Sequence, residues 1–180
     1  MLSPKTQVSR PITDRVKESL FSVLYKYDLP SGIIVADLFC GVGSLGLEAL
    51  SRGAKLVTFV EQDKKIISIL KKNIEKAGFV NESKVIRADA FEIVPIANTR
   101  ENKYDLVFVD PPYVKTENVQ TGSPLAGLLE VLGEHITTDG IVVVRTALDV
   151  SLLEQYGNLK VIERRRWGTM SVTILRGKIS

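Results

Sequence analysis

The sequence predicts a doubly wound α/β fold, a mostly parallel sheet of seven strands that closes with an antiparallel hairpin. Three observations predict it. Short apolar, β-branched runs alternate with amphipathic helical stretches. A glycine-rich turn joins the first run to the helix after it. The last two runs follow one another with only a turn near Gly168 between them. With 180 residues, 44% hydrophobic and 25% charged, the chain is expected to form one domain over residues 1–180, with residues 1–30 as an N-terminal helical segment.

The elements follow in order. Pro11 to Lys26 reads as a helix capped by Thr13 or Asp14, with Val16, Leu20, Val23 and Leu24 at helical spacing. Ile33 to Leu38 is a buried strand. The turn Gly41-Val42-Gly43-Ser44-Leu45-Gly46 leads into a short helix ending near Arg52. Lys55 to Val60 is the second strand, ending at Glu61. Asp63 to Ala77 is a helix that Gly78 stops. Lys84 to Arg87 is the third strand, and Asp89 is expected to start a short helix. Tyr104 to Val109 is the fourth strand, Leu125 to Ile136 a helix, and Ile141 to Arg145 the fifth strand. Lys160 to Arg166 and Ser171 to Arg176 form the closing hairpin.

Composition narrows the function classes. The single cysteine, Cys40, excludes a disulfide framework or a cysteine-rich zinc site, and no metal site is expected. The longest apolar runs are too short to span a bilayer, and the first ten residues lack the apolar core of a signal peptide, so a cytoplasmic protein without membrane partners is expected. The net charge of +3 weakly favours a polyanionic partner.

Ligands of doubly wound sheets lie at the carboxyl ends of the strands, and the polar motifs fall there. Gly41 and Gly43 let the backbone turn tightly and approach a ligand. Glu61, twenty residues after Gly41 at the end of the next strand, can accept from both hydroxyls of a ribose. Asp37, four residues before Gly41, repels a pyrophosphate and suits a cationic ligand, which favours S-adenosylmethionine over a dinucleotide. Asp89 can accept from an adenine amino group or serve as a plain helix cap.

Asp110-Pro111-Pro112-Tyr113 ends the fourth strand, because two prolines cannot continue a central strand. A carboxylate beside a rigidly held carbonyl can accept from both N–H bonds of an exocyclic amine. That holds a poorly nucleophilic nitrogen in line for methyl transfer, and Tyr113 can stack on the base.

Four stretches together resemble the bacterial 16S rRNA guanine-N2 methyltransferases: residues 10–21 (RPITDRVKESLF), residues 37–54 (DLFCGVGSLGLEALSRGA), Val60-Glu61-Gln62-Asp63, and Asp110-Pro111-Pro112-Tyr113. The resemblance implies a Rossmann-like class I methyltransferase that uses S-adenosylmethionine on 16S ribosomal RNA or the small ribosomal subunit, and it is read as a monomer. It also implies that Asp37, Gly41 and Gly43 hold the methionine part of the cofactor, that Glu61 binds the ribose, and that Asp89 and Ala90 bind the adenine. Phe39, Gln62 and Thr13 would lie beside them. By the same resemblance Asp110, Pro111, Pro112 and Tyr113 form the catalytic set, and Arg10, Arg15, Lys17 and Tyr113 meet the nucleic acid. The alternative substrate is adenine N6 or cytosine N4 of DNA, whose enzymes share the tetrad.

Two features depart from the family. Nine residues precede Arg10, fewer than the family usually carries before this motif. Arg145 stands where an acidic residue is common after the fifth strand, and it is expected to lie clear of the catalytic set. Cys40 is expected to be an apolar filler rather than a nucleophile, and His135 a helix-end residue. Arg164, Arg165 and Arg166 with Lys160, Arg176 and Lys178 give the hairpin a basic face, and Trp167 sits at its turn. Phosphate contacts are one reading of that face, and an edge blunted by charge is the other.

Overall fold

A computed structural model of the chain describes residues 12–92 and 103–177. Helix α1 (Asp14–Leu24) opens it, and the Thr13 hydroxyl caps the helix by accepting from the Val16 N–H at 3.3 Å. A 3-10 turn over Tyr25–Tyr27 replaces the last helical turn expected from sequence, and Asp28 ends it in the left-handed region at φ 57°. Strand β1 (Ile34–Leu38) leads through the glycine turn to α2 (Ser44–Ser51), then β2 (Leu56–Glu61), α3 (Lys64–Ala77) and β3 (Ser83–Arg87). Asp63 caps α3 by accepting from the Lys65 and Ile66 N–H groups, and Gly78 closes it at φ 78°. Then come β4 (Tyr104–Val109), a 3-10 turn over Tyr113–Thr116, α4 (Pro124–His135), β5 (Ile136–Ala147), β6 (Gln155–Tyr156), β7 (Leu159–Trp167) and β8 (Met170–Gly177).

The strands form one sheet in the order β3-β2-β1-β4-β5-β8-β7-β6. Strands β1 to β5 run parallel, and β8, β7 and β6 are antiparallel. Seven strands are those expected from sequence. The eighth, β6, is a two-residue edge that pairs Gln155 with Lys160 and Tyr156 with Leu159, too short to show an alternation. Strand β5 begins earlier than Ile141, directly at the end of α4. Polar Thr137, Thr138 and Asp139 interrupt its apolar run and hide that start in the sequence. Asp89 leads into a turn over residues 90–92, its carboxylate accepts from the Phe91 N–H at 3.0 Å, and the rest of the helix expected after it falls outside the described residues.

The parallel strands are buried on both faces, as their near-continuous apolar sequence requires. Leu20, Phe21, Leu50, Leu70 and Ile74 of α1, α2 and α3 pack on Val35, Phe59, Phe108 and Val143. Leu125, Leu129 and Leu132 of α4 pack on Leu38, Val107, Val109 and Val144 across the sheet. The chain reverses sides between β1 and β4, where α-helical cover changes face. That switch point is where such a sheet leaves a crevice. Among the described residues, no helix is long and apolar enough to cross a membrane.

Candidate active site at the strand ends

Side chains alternate along a strand, so residues two apart share a face. Asp37 follows Val35, Glu61 follows Phe59, Asp110 follows Phe108 and Arg145 follows Val143. All four leading residues belong to the core shared with α1, α2 and α3. The carboxyl ends of β2, β1, β4 and β5, neighbours in that order, thus bring Glu61, Asp37, Asp110 and Arg145 into a row along one face. Three carboxylates and one guanidinium stand side by side.

Each member has a distinct setting. Asp37 is 1% exposed, and its Oδ2 accepts from the Gly46 N–H at 2.8 Å. Burial pushes its carboxyl up to about 8. The Gly46 N–H opposes that shift, the neighbouring Asp110 and Glu61 charges add to it, and Arg145 pulls it back. Glu61 accepts from three backbone N–H groups: Gly41 at 3.1 Å, Gln62 at 2.9 Å and Asp63 at 2.9 Å. It therefore ties the glycine turn to the end of β2. Asp110 receives the Arg145 Nε–H at 2.5 Å. Burial raises its carboxyl, and Arg145 opposes the rise.

The expectation that Arg145 lies clear of the catalytic set is overturned. Val109 and Val144 are ladder partners, so the residues after them, Asp110 and Arg145, emerge side by side. Arg145 is 5% exposed and pairs with Asp110 directly.

The glycine turn is held from several directions. Gly41 (φ 54°) and Gly43 (φ 91°) occupy conformations that favour glycine. A Cβ on Gly43 would meet Leu70 Cδ1 at 2.5 Å, whereas one on Gly41 would meet nothing within 4 Å. The turn is thus packed below Gly43 and open at Gly41. Asn73 of α3 donates from Nδ2 to the Val42 carbonyl at 3.0 Å. Phe39 is also left-handed (φ 59°), and its ring lies 4.8 Å from that of Phe91. Cys40 is buried, and burial drives its thiol well above the usual range, as an inert filler requires.

Residues 1–176 match the family described as "conserved hypothetical protein 95". The chain belongs to this family. It is 34% identical over 171 residues to YlbH of Bacillus subtilis, provisionally named an rRNA methyltransferase, covering 93% of this chain and 88% of that protein. It is 43% identical over 105 residues to ribosomal RNA small subunit methyltransferase D of Haemophilus influenzae, covering 58% of this chain and 53% of that protein. Among solved structures, yhhF of Escherichia coli, provisionally titled a methyltransferase, has a TM-score of 0.78 at 25% identity. That match covers 99% of this chain and 92% of the other. The segment matched to conserved hypothetical protein 95 contains the whole charged row.

In this family member the remaining expected residues divide. Ala90 is buried against Leu38 and Val60, and Asp89 lies at the end of β3. Gln62 is exposed, and its carbonyl accepts from Arg87 Nε at 3.3 Å. Pro111 is buried, and the Pro112 carbonyl accepts from the Lys115 N–H at 2.8 Å to start the 3-10 turn. Tyr113 is half-buried, with its hydroxyl buried and unpartnered among the described residues. Thr13 uses its hydroxyl on the α1 cap. Lys17 pairs with Asp14 at 3.2 Å and Glu48 at 3.5 Å and is 12% exposed, so its charge joins α1 to α2 instead of facing solvent. Arg15 is exposed on α1. Arg10 and Lys178 lie outside the described residues. On the hairpin, Arg164 pairs with Glu154 and donates to the Leu152 carbonyl, Arg165 pairs with Glu163, and Trp167 packs against the core. His135 bonds the Val131 carbonyl at the end of α4 through Nδ1.

Three supporting residues were missed from sequence. Asn73 was detectable as a polar residue between Leu70 and Ile74 on the inward stripe of α3. Arg145 was visible as a charge ending an apolar strand. Tyr156 accepts from the Leu153 N–H at 3.0 Å and donates to the Val119 carbonyl at 2.7 Å, bracing the segment after the tetrad. Nothing local marks it.

Proposed function

We propose that the chain transfers the methyl group of S-adenosylmethionine to the exocyclic N2 of a guanine in 16S ribosomal RNA, in the cytoplasm, on the small subunit or its RNA. The observation that carries the reading is the placement of Asp110, followed by Pro111, Pro112 and Tyr113, at the end of the strand next to Asp37 and the glycine turn. The relatives named rRNA methyltransferases support an rRNA substrate.

The residues fit this cofactor. Three carboxylates in a row suit a ligand carrying an ammonium and a sulfonium and disfavour a pyrophosphate. The open side of Gly41 leaves room for it. Glu61 would take the ribose hydroxyls, Asp37 with the Gly41 and Gly43 backbone the methionine part, and Asp89 and Ala90 the adenine, with Phe39 and Gln62 alongside. Bound there, S-adenosylmethionine supplies an electrophilic methyl group.

The chain's part is orientation and proton transfer. The Asp110 carboxylate and the Pro111 carbonyl accept from the two amine N–H bonds, which turns the nitrogen lone pair toward the methyl carbon. Burial makes Asp110 a stronger base than an ordinary carboxylate, so it can take the proton the nitrogen sheds. Tyr113 stacks on the base.

The test offers labelled S-adenosylmethionine with small subunits lacking this modification, with the same RNA stripped of protein, and with unmethylated DNA, and identifies the product nucleoside. N2-methylguanosine from RNA supports the reading. Methylated adenine or cytosine from DNA overturns the substrate and keeps the chemistry. Absence of transfer to all three, with cofactor bound, overturns both.

A further inference from the structure

Asp110 has little of its own to hold it. It stands one residue beyond the end of β4, and its N–H reaches the Leu38 carbonyl at a long 3.3 Å. The two prolines after it have no N–H to tie the chain down. Arg145 is placed oppositely. It lies inside β5, where Val172 of β8 is its ladder partner, so its backbone is fixed by the sheet. Its side chain is 6% exposed, and its Nε–H meets Asp110 Oδ1 at 2.5 Å. Asp110 Oδ2 takes no hydrogen bond among the described residues, and the Asp110 side chain keeps 16% exposure. The row treats its carboxylates differently. Glu61 accepts from three backbone N–H groups and Asp37 from one, whereas Asp110 is the member in contact with a cation.

We propose that Arg145 is a positioning residue for methyl transfer: it holds Oδ1 of Asp110, keeps that carboxyl ionised, and leaves Oδ2 as the oxygen that accepts from the target amine. The inference rests on the amine-methylation reading above. A protonated Asp110 would present a hydroxyl where the amine N–H needs an acceptor, and it could take no proton from the nitrogen. Burial favours that protonated form, and Arg145 opposes it. Asp37 at the end of β1 and Glu61 at the end of β2 are the other titratable groups of the row, and both are acidic. Arg145 is therefore the one positive charge of the row, and its charge-assisted bond is stronger than a neutral one. That bond also fixes how the carboxylate is turned, which the flanking backbone leaves free.

The experiment reads single-turnover methyl transfer against pH, with S-adenosylmethionine and the RNA substrate both saturating. It compares the parent with Arg145→Met, Arg145→Gln and Arg145→Lys. Activity is lost as pH falls through the value at which Asp110 takes up a proton. Without the guanidinium that value rises, so the loss begins at higher pH. In Arg145→Met the acid limb should move up by about 1–3 pH units. Arg145→Gln, neutral but still a donor, should move it in the same direction. Arg145→Lys keeps the charge without the planar fork, so its limb should stay near the parent's while the plateau rate falls several-fold. A merely structural Arg145 would lower the rate by one factor at every pH. An acid limb in the same place in the parent and both neutral variants overturns the proposal. If Arg145→Met does not fold, Arg145→Gln decides. If neither neutral variant folds, a parent-like plateau in Arg145→Lys overturns the proposal and a lowered plateau with the limb in place supports it. Affinity for S-adenosylmethionine, read by calorimetry, should stay near the parent's, and a loss that accounts for the slow rate would place Arg145 in the cofactor site instead. Product analysis separates the two readings. A parent that methylates no amine removes the reading beneath the inference. A parent that does so, with an unmoved limb in the variants, removes only the role of Arg145.

Discussion

Glu61→Ala tests whether one carboxylate both shapes the glycine turn and holds a nucleoside. The side chain accepts from the N–H groups of Gly41, Gln62 and Asp63. Gln62 and Asp63 are exposed, so water replaces their bonds at little cost, whereas Gly41 is half-buried. Stability should fall mainly by the Gly41 bond, by about 1–2 kcal/mol. In a chain of this length that is roughly 2–8 °C in Tm. Cofactor affinity should fall further, because the ribose hydroxyls lose a charged acceptor at about 1–3 kcal/mol, a 5- to 150-fold rise in Kd. Thermal melting gives the first quantity and calorimetric titration with S-adenosylmethionine the second. Glu61→Gln separates them, since its amide keeps one accepting oxygen while turning an NH2 toward a backbone donor. Unchanged affinity in Glu61→Ala would remove Glu61 from the cofactor site, and an unchanged Tm would show that the turn holds its shape without it.

Asp110→Asn should keep an oxygen for Arg145 while removing the base, lowering turnover by on the order of 100-fold or more with cofactor affinity nearly intact. Retained turnover in a methyl-transfer assay would show that Asp110 does not serve the amine. Asp110→Ala should lose turnover too, but also several kcal/mol of stability, about 3–5, because the buried guanidinium is left unpaired. Gly46→Ala should destabilise by about 1–3 kcal/mol in denaturant unfolding. Its Cβ would come within 2.3 Å of Phe59 Cε1, a fully buried ring, and 2.9 Å of Asp37 Oδ2. Asp37→Asn should raise Tm near pH 8 and change it little near pH 4. The folded-state carboxyl titrates at about 8, above its unfolded value of 3.8, so the folded chain binds the proton more tightly. Stability is then lost as pH rises between those two values, a loss the amide does not suffer. A parallel pair of pH–Tm curves would contradict that.

Most of the architecture was legible because apolar periodicity decides it. Strands β1 to β4 read as four short β-branched runs, and α3 as an inward stripe between an Asp cap and a Gly stop. The early part of β5 was not legible. There the chain pairs Ile136 with Tyr104 and then slips register before Leu106 meets Ile141, over residues whose polarity imitates a loop. The site was legible in its backbone features, the glycines and the paired prolines, whose constraints are local. Its electrostatics were not. Which carboxylates face one another depends on strand order and on face parity, and both are properties of the assembled sheet. Lys17 illustrates the same gap. Its sequence neighbours suggest a surface cation, but α2 brings Glu48 against it.

If the charged row takes the cationic ligand proposed above, its capture is an exchange of ions. At neutral pH the buried Asp37 carboxyl is largely protonated, with Asp110 and Glu61 helping to hold the hydrogen ion there. A positively charged ligand settling beside Asp37 does the same neutralising work and so evicts that ion into solution. Uptake of a cation should then carry a matching proton release, seen as a binding enthalpy that shifts with the ionisation heat of the buffer. Mild acid, which keeps the hydrogen ion in place, becomes a competitor for the site.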